Sequence, residues 1–464
     1  MTGIKDKKKA EISAKDKAKA VLGLVDNWLD YQTYIKEIPS VSVGISIEDE
    51  VIFQKSYGYA NLENQEKAVP QTMYRIASHS KLFTATAIMR LRAEGKLRLG
   101  DPVSQFLDWL NSEKDENLAY VTLRQLLTHS SGMTRDGNTT HWTDNVFPDK
   151  EEIMEQVKEG ILIYTDNEHW KYSNFGYMIL GQVIEAVTGK PYEKAVMELV
   201  VEPLGMKNTY PDITDENLDK HAVGYGKRYP KKGREALAHV SAEIMNSATG
   251  FSSTVEDMLK FYQAHMMGNE ILLIDRDKRE MQRIQFKEKT YEWGLGFGIL
   301  KVGELSYIRH GGGFLGFITS SGLCQEHKLV IVVLTNTVEG PASELFEGVS
   351  KMIEMTLTGY EKFDFDEEID ERTLDSLTGF YRSGWGVGLY ERINGKLVGI
   401  EPDLEDPVAL INIYEHVEGL KFRTPIKNQI YSIGEDFYFE VDSKGKVKQL
   451  VFRGGKSEPF EFEY

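Results

Sequence analysis

The chain has 464 residues, with 55 Lys and Arg against 72 Asp and Glu and hence a net charge of −17; so acidic a surface repels a phosphate backbone, and we expect no nucleic-acid partner. No apolar run approaches the roughly 18 residues that span a bilayer, and the start lacks the apolar stretch of a secretory signal, so we expect a cytoplasmic protein without membrane contact. Cys324 is the only cysteine, which excludes an intrachain disulfide and a cysteine-based metal cluster.

The first predicted element is an amphipathic helix, because apolar side chains recur there at helical spacing: Val21, Leu24, Val25, Trp28 and Leu29. A β-hairpin follows over residues 40–60, with an acidic turn at Glu48 to Glu50. Helical patterns then dominate from Thr84 to Met206. Strand patterns return after Trp293 and lead into a helix near Glu344 to Leu357. We therefore expect an α/β domain over residues 1–360, whose sheet is assembled from both ends of the segment.

The rest of the chain has a different pattern. Residues 361–372 form an acidic run that we interpret as a linker. Residues 373–464 contain short alternating segments separated by turn signals such as Asn394-Gly395, which predict a small antiparallel barrel of the lipocalin-like kind. We expect the Gly-rich segment Ser383-Gly384-Trp385-Gly386 to reach the catalytic cleft or a neighbouring subunit.

Most signatures of catalytic chemistry are absent from the sequence. There is no Gly-x-Ser-x-Gly elbow, no Walker loop and no His-Glu-x-x-His pattern. The GLGFG segment at Gly294 to Gly298 lies inside a strand pattern, which argues against a dinucleotide site. What remains is Ser78-His79-Ser80-Lys81. A second Ser-x-x-Lys, Ser443 to Lys446, lies in a polar turn, whereas the first opens an apolar helix on which residues 78 and 81 share a face.

This placement can activate the Ser78 hydroxyl as a nucleophile. Burial lowers the pKa of a lysine, so that a neutral Lys81 amine can accept the hydroxyl proton. Tyr172, which lies just before a helix, is a candidate proton shuttle, because a nearby ammonium lowers the pKa of a phenol. The glycines after His310 can let a substrate approach the strand backbone closely.

Together these elements resemble the serine β-lactamase and penicillin-binding-protein superfamily, in particular its class C-related branch of esterases and D-amino-acid peptidases. Flanking phrases such as PQTMYRIASHSK, LRQLLTHSSGM and WKYSNFGYMILGQVIE carry the resemblance over about residues 38–357. It implies a β-lactamase/transpeptidase-like fold, an antiparallel sheet flanked by helices with a helical subdomain. It implies no cofactor.

The resemblance also implies roles for particular residues. Ser78 would be acylated, with Lys81 as proton acceptor and Tyr172 as general acid and base. Asn174 would orient the substrate or Lys81. The backbone N–H groups of Ser78 and Gly313 would form the oxyanion hole. His129 matches a family phrase and is interpreted as a structural hydrogen-bonding residue.

The sequence departs from the family pattern at the third motif. His310 stands where β-lactam-recognising relatives carry a lysine, and Gly311 and Gly312 follow it. This change removes the permanent cation that would bind a carboxylate, since the reference pKa falls from about 10.4 to about 6.5. We expect His310 and Gly312 to orient the substrate and turnover to show a His-controlled limb near about pH 6 to 7.

The resulting hypothesis is a serine hydrolase that acts through an acyl-enzyme, most simply a peptidase or amidase on short peptides, D-residue peptides included. A carboxylesterase, an acyltransferase and a non-catalytic acyl-binding sensor remain alternatives. The expected partner is a small molecule or short peptide, and a homo-oligomer remains open.

Overall fold

The computed structural model describes residues 12–365, 369–425 and 433–464. Within these residues the α-helices are α1 (Ala14–Lys19), α2 (Leu22–Ile35), α3 (Ser80–Ala93), α4 (Leu123–Leu127), α5 (His141–Asp144), α6 (Lys150–Glu159), α7 (Asn174–Thr188), α8 (Tyr192–Val196), α9 (Asn246–Thr249), α10 (Val255–Ala264), α11 (Asp275–Gln282), α12 (Ala342–Gly359) and α13 (Glu371–Asp375).

The strands in the same residues are β1 (Ser40–Ile47), β2 (Glu50–Asn61), β3 (Glu66–Lys67), β4 (Tyr74–Arg75), β5 (Gly224–Tyr225), β6 (Ala236–Leu237), β7 (Ser252–Ser253), β8 (Phe286–Glu288), β9 (Tyr291–Trp293), β10 (Gly298–Val302), β11 (Leu305–Phe314), β12 (Phe317–Cys324), β13 (Leu329–Thr335), β14 (Gly379–Ser383), β15 (Gly386–Ile393), β16 (Lys396–Ile400), β17 (Asn412–Ile413), β18 (Glu415–Glu418), β19 (Lys421–Arg423), β20 (Asp436–Val441), β21 (Val447–Phe452) and β22 (Gly455–Pro459).

The larger of two compact units comprises residues 36–346 and contains a nine-stranded antiparallel sheet. Its order is β3-β2-β1-β13-β12-β11-β10-β9-β8, so strands from both ends of the segment meet where β1 pairs with β13. Every residue of these two strands is buried, as expected for the middle of a covered sheet. The predicted α/β fold and the predicted assembly of the sheet are confirmed.

Helices surround the sheet and form the helical subdomain of this unit. α10 packs against β1 and β13, and a Cβ added to Gly44 of β1 would lie 3.0 Å from Leu259 of α10. α3 and α7 are almost entirely buried in the main apolar core. Because α3 starts two residues after Ser78, the core fixes the position of that residue.

The second unit combines the described residues up to 35 with residues 347–464. Its sheet also has nine antiparallel strands, in the order β17-β16-β15-β14-β22-β21-β20-β19-β18. The edge strands β17 and β18 are neighbours in the chain, so the sheet is a nearly closed barrel, which confirms that prediction. Aromatic side chains fill its interior: Tyr381, Phe422, Phe437 and Phe439. Trp385, at the tip of the β14–β15 hairpin, is 100% exposed.

These units differ from the predicted division at residue 360. The reason is the apolar face of α2, which is buried within the second unit: the Trp28 indole donates to the Leu404 carbonyl at 3.3 Å, and the Tyr31 ring stacks on Phe380 at 5.5 Å. The predicted linker is also partly structured. Phe363 is fully buried in a 3₁₀ turn, and α13 begins at Glu371; residues 366–368 lie outside the described residues.

Candidate active site

The turn that carries Ser78 is strained. Ser78 lies in the 3₁₀ turn Ala77–His79, which leads directly into α3. Ala77 has a φ of 52°, a left-handed conformation that is costly for a residue with a Cβ. The turn is held because the Ile76 carbonyl accepts hydrogen bonds from the His79 backbone N–H at 3.1 Å and from its ring Nδ1 at 2.9 Å. Ser78 is partly exposed, while Ala77 and His79 are fully buried.

Lys81, one turn along α3, lies beneath Ser78 and is fully buried. Its Nζ is 3.2 Å from Ser78 Oγ, 2.7 Å from Asn174 Oδ1 and 2.7 Å from the Ala248 carbonyl oxygen. Burial lowers its pKa well below the ordinary value, although the charge of Asp136 opposes this change. A neutral amine has two N–H donors and one lone pair. In this neutral form the two carbonyl-type oxygens take both donors, which leaves the lone pair for the Ser78 hydroxyl.

Asp136 completes this arrangement, and the sequence analysis missed it. The Asn174 Nδ2 group donates to Asp136 Oδ1 at 2.6 Å, which turns the amide oxygen towards Lys81. Burial alone would raise the pKa of Asp136, but the facing His141 ring and Asn174 amide hold it at about 2, so the group is a carboxylate. Asp136 comes soon after the phrase LLTHSSGM, yet it lies 38 positions before Asn174 and no sequence pattern connects the two residues.

Tyr172 lies beside the same amine. Lys81 Nζ is 4.8 Å from the centre of the phenol ring, and the phenol shares a hydrogen bond with the Ser78 hydroxyl. Burial raises the pKa of Tyr172, and the Ser78 hydrogen bond only partly offsets this. The expectation of a lowered phenol pKa is therefore wrong: its premise was a buried ammonium, whereas burial favours the neutral form of both groups.

His310 lies on β11, on the face that carries Ser78. Its ring is 5.8 Å from His79, 6.3 Å from Tyr172 and 5.4 Å from Trp293, between centroids. Burial lowers its pKa well below the ordinary value, and His79 and Lys81 lower it further. His310 is therefore neutral around neutral pH, and the expected His-controlled limb near about pH 6 to 7 has no source in this residue.

The glycines after His310 have separate roles in the geometry. A Cβ on Gly312 would lie 2.3 Å from the Ile76 carbonyl oxygen, so this glycine allows β11 to pack against the Ser78 turn. β10 pairs with β11 only as far as Arg309, whereas β12 pairs with it to Phe314. Among the described strands, none pairs with residues 311–314 on the β10 side. Gly313 lies in this stretch, and its backbone N–H is predicted to form the oxyanion hole together with the backbone N–H of Ser78.

His129 supports the segment that carries Tyr172. The Ser173 backbone N–H donates to His129 Nδ1 at 3.1 Å, and the Lys171 N–H donates to the His129 carbonyl at 2.8 Å. Burial lowers the pKa of His129 well below its ordinary value. These contacts fit the interpretation of His129 as a structural residue.

The described residues hold no group of three or more His, Cys, Asp or Glu side chains that could bind a metal ion. Among the same residues, no helix combines the length and apolar character that crossing a membrane requires.

The chain belongs to the beta-lactamase family, whose sequence model matches residues 25–349. This family comprises serine hydrolases of the β-lactamase and penicillin-binding-protein type. Protein flp of Staphylococcus aureus strain MW2 is 30% identical over 201 residues, which are 43% of this chain and 40% of that protein. The chain thus spans about two fifths of the length of this relative. Putative penicillin-binding protein PbpX of Bacillus subtilis is 27% identical over 71% of this chain and 79% of its own length.

Solved structures share the fold. An octameric penicillin-binding protein homologue from Pyrococcus abyssi superimposes with a TM-score of 0.64 at 23% identity, covering 94% of this chain and 99% of its own. D-amino acid amidase from Ochrobactrum anthropi SV3, complexed with D-phenylalanine, superimposes with a TM-score of 0.62 at 22% identity, covering 74% of this chain and 99% of its own.

Proposed function

We propose that the protein is a serine hydrolase that forms an acyl-enzyme at Ser78 and acts as a peptidase or amidase on short peptides, D-residue peptides included. The observation that carries this proposal is the set of partners around Lys81. Both N–H groups of a neutral amine have acceptors in Asn174 and Ala248, so its lone pair is directed at the Ser78 hydroxyl. That is the arrangement a general base needs.

In acylation, Ser78 Oγ bonds to the substrate carbonyl carbon while its proton moves to Lys81 Nζ. The negative charge that develops on the carbonyl oxygen is stabilised by the backbone N–H groups of Ser78 and Gly313; losing one such donor costs about 3 kcal/mol in typical enzymes. Tyr172 donates its phenol proton to the leaving nitrogen as the bond to carbon breaks. The Lys81 ammonium then returns a proton to Tyr172, which restores both neutral groups.

Deacylation uses the same groups with water in place of Ser78. A water molecule attacks the acyl carbonyl and gives its proton to Lys81, and Ser78 Oγ leaves with a proton from Tyr172. Because burial favours the neutral forms of both Lys81 and Tyr172, the Lys81 ammonium and the Tyr172 phenolate both return readily to the neutral starting state.

The proposed preference for acyclic amides over the cyclic amide of a β-lactam rests on His310. A neutral ring offers no permanent cation for the carboxylate of a β-lactam. Among similar folds, one is described as a D-amino acid amidase, which supports the choice of an acyclic amide substrate.

A substrate panel on wild type and Ser78→Ala tests the proposal. We expect wild type to hydrolyse D-aminoacyl p-nitroanilides and Ser78→Ala to lose this activity by at least about 10³-fold. Preference for short-chain nitrophenyl esters by orders of magnitude would instead favour the carboxylesterase. The intact mass of the protein after treatment with a reactive acyl donor tests the alternative of a non-catalytic acyl-binding sensor. A permanent adduct without turnover would contradict the proposed hydrolase.

We also propose that the protein forms a homo-oligomer. The Pyrococcus abyssi homologue is described as octameric, and the fully exposed Trp385 is an unusual side chain to leave in water. Light scattering on wild type and Trp385→Ser measures the mass in solution, and a monomeric wild type would contradict this proposal.

A further inference from the structure

Five rings near Ser78 form what we call the ring cluster: His129, Trp170, Tyr172, Trp293 and His310. Trp293 lies at its centre. The centroid of the Trp293 ring is 5.2 Å from those of His129 and Trp170, 5.4 Å from that of His310 and 6.3 Å from that of Tyr172. The cluster therefore adjoins the reacting groups directly.

Four buried ring nitrogens of this cluster have no hydrogen-bond partner in the part of the chain that the structure describes: His129 Nε2, Trp170 Nε1, Trp293 Nε1 and His310 Nε2. His129 is fully buried and His310 is 5% exposed. Buried polar atoms are normally paired. Four unpaired atoms in one cluster next to a nucleophile therefore indicate that something outside the protein pairs with them.

The protons on these atoms follow from their neighbours. His310 Nδ1 lies 2.5 Å from the Gly311 carbonyl oxygen, which can only accept, so Nδ1 carries the proton and Nε2 is a bare acceptor. His129 is the reverse, because its Nδ1 accepts the Ser173 N–H and its Nε2 is a donor. The two indole nitrogens are donors. The cluster thus offers one acceptor and three donors.

The charges around the cluster are already paired or suppressed. Burial lowers the pKa of Lys81, beside Tyr172, and so favours its neutral form. Arg135 forms an ion pair with Asp136 at 3.2 Å, and His169 pairs with Glu288 at 3.1 Å. A carboxylate bound in the cluster would meet the lone pair of His310 Nε2 instead of a cation. The complementary ligand is uncharged and carries both an N–H and a carbonyl oxygen.

We propose that the ring cluster is a specificity subsite for a secondary amide of the substrate, whose N–H donates to His310 Nε2 and whose carbonyl oxygen accepts from an N–H of the cluster. This inference rests on the proposed function and deepens it. His310 acts here as a hydrogen-bond acceptor, the opposite of the cationic donor that a lysine would be at this position. The substrate must then contain a second amide besides the one that is cleaved.

Three p-nitroanilides of D-alanine test the subsite, with N-acetyl, N-acetyl-N-methyl and N-succinyl groups on the amine. The first has the N–H, the second lacks only the N–H, and the third adds a carboxylate. We expect wild type to favour the N-acetyl over the N-methyl compound by about 10- to 100-fold in kcat/KM, because the latter leaves a buried acceptor unpaired. Equal rates on these two compounds would overturn the inference.

Two variants assign the effect to His310. His310→Phe keeps a ring without an acceptor and should reduce the preference to within about threefold. His310→Lys restores a cation and should shift the preference towards the N-succinyl compound by about tenfold or more. His327→Lys, in the turn between β12 and β13, adds the same charge elsewhere and should retain the wild-type preference. An unchanged preference in His310→Phe would contradict the inference.

The failure of the inference and that of the proposed function are distinguishable. Turnover that depends on Ser78 without discrimination among the three compounds contradicts the subsite alone. If wild type hydrolyses none of them, the proposed function fails on these substrates, and the subsite is tested by binding to Ser78→Ala, followed by tryptophan fluorescence because Trp293 is part of the cluster. Tighter binding of the N-acetyl compound supports the subsite; equal, absent or N-succinyl-favoured binding overturns it.

Discussion

The Asn174 side chain donates to Asp136 at 2.6 Å, and this contact decides which end of the amide faces Lys81. A carboxylate can only accept, so the Asn174 nitrogen must point towards it and the amide oxygen must point away. Asp136 therefore acts on the base through a neighbour, as a positioning residue.

Replacing Asp136 by Asn tests the effect of the negative charge of Asp136 on Lys81. The negative charge of Asp136 raises the pKa of Lys81 by stabilising the ammonium, so the neutral variant should have a lower Lys81 pKa. In the proposed mechanism the neutral amine is the active form, so the acid limb of kcat/KM should move to lower pH in Asp136→Asn. An acid limb that stays in place or moves to higher pH would contradict this role.

Asp136→Ala tests whether Asp136 orients Asn174, because the Asn174 amide then loses its hydrogen-bond acceptor. We expect kcat to fall about 10- to 100-fold with a smaller change in KM, as for a residue that orients a catalytic group. In Asp136→Asn, the new amide can still accept from Asn174, so its kcat should remain closer to that of wild type. Equal losses in both variants would argue that charge alone matters.

The pH profile of the wild type provides a separate prediction. The proposed mechanism needs a neutral Lys81, whose pKa is lowered, so activity should rise with pH through the Lys81 pKa. Tyr172 must be protonated, and its pKa is raised, so this group should cause no loss of activity between neutral pH and about pH 10. A limb near pH 6 to 7 that disappears in His310→Phe would contradict the assignment of a neutral His310.

Gly312→Ala should damage the Ser78 turn. The added Cβ would lie 2.3 Å from the Ile76 carbonyl oxygen and 2.5 Å from Thr319 Oγ1, both of which support that turn. We expect a loss of about 1–3 kcal/mol in unfolding free energy and a fall in kcat/KM of at least about 100-fold, because small displacements of reacting groups are costly. Thermal unfolding measures the loss of stability, and steady-state kinetics measure the fall in kcat/KM.

Gly311→Ala is the matched control on the same strand. Its Cβ would meet Arg309 Nη2 and the Thr319 carbonyl oxygen at 3.5 Å, an ordinary contact distance. This variant should keep wild-type stability. Equal destabilisation of the two variants would mean that the strand tolerates no side chain here for a reason other than contact with the Ser78 turn.

Glu391 makes the stability of the second unit depend on pH. Burial raises its pKa from 4.5 to about 7, although the Asn27 amide donates to it. A carboxyl group whose pKa is higher in the folded than in the unfolded protein stabilises the fold while it is protonated. This stabilisation is complete below about pH 4.5 and is lost as the pH rises to about 7. The loss amounts to roughly 3 kcal/mol.

Glu391→Gln should therefore stabilise the protein at pH 8 and have little effect at pH 4.5, because a glutamine does not ionise and its oxygen can still accept from Asn27. Urea unfolding at both pH values measures the difference. Glu418→Gln, at an exposed position of β18, is the control and should change little at either pH. Equal stabilisation of Glu391→Gln at both pH values would contradict a titration at this site.

Local patterns were sufficient to predict much of the architecture. The β1–β2 hairpin, α2 and the barrel strands have clear periodicity, and the spacing of Ser78 and Lys81 on one helix predicts their contact. Three features could not be predicted, because each depends on distant parts of the chain. Asp136 meets Asn174 only in the folded protein, the direction of the Tyr172 pKa depends on burial, and the partner of α2 lies more than 340 residues away.

The pairing of α2 with the C-terminal strands also sets an order for folding. On the ribosome, Trp28 and its apolar neighbours are made before residues 36–346, whereas Leu404, the hydrogen-bond acceptor of the Trp28 indole, is made after them. Residues 36–346 can form their own core before the partner strands of α2 are synthesised. A nascent chain therefore carries an exposed apolar helix while residues 36–346 are synthesised, and we expect chaperones to bind that helix until its partner strands emerge.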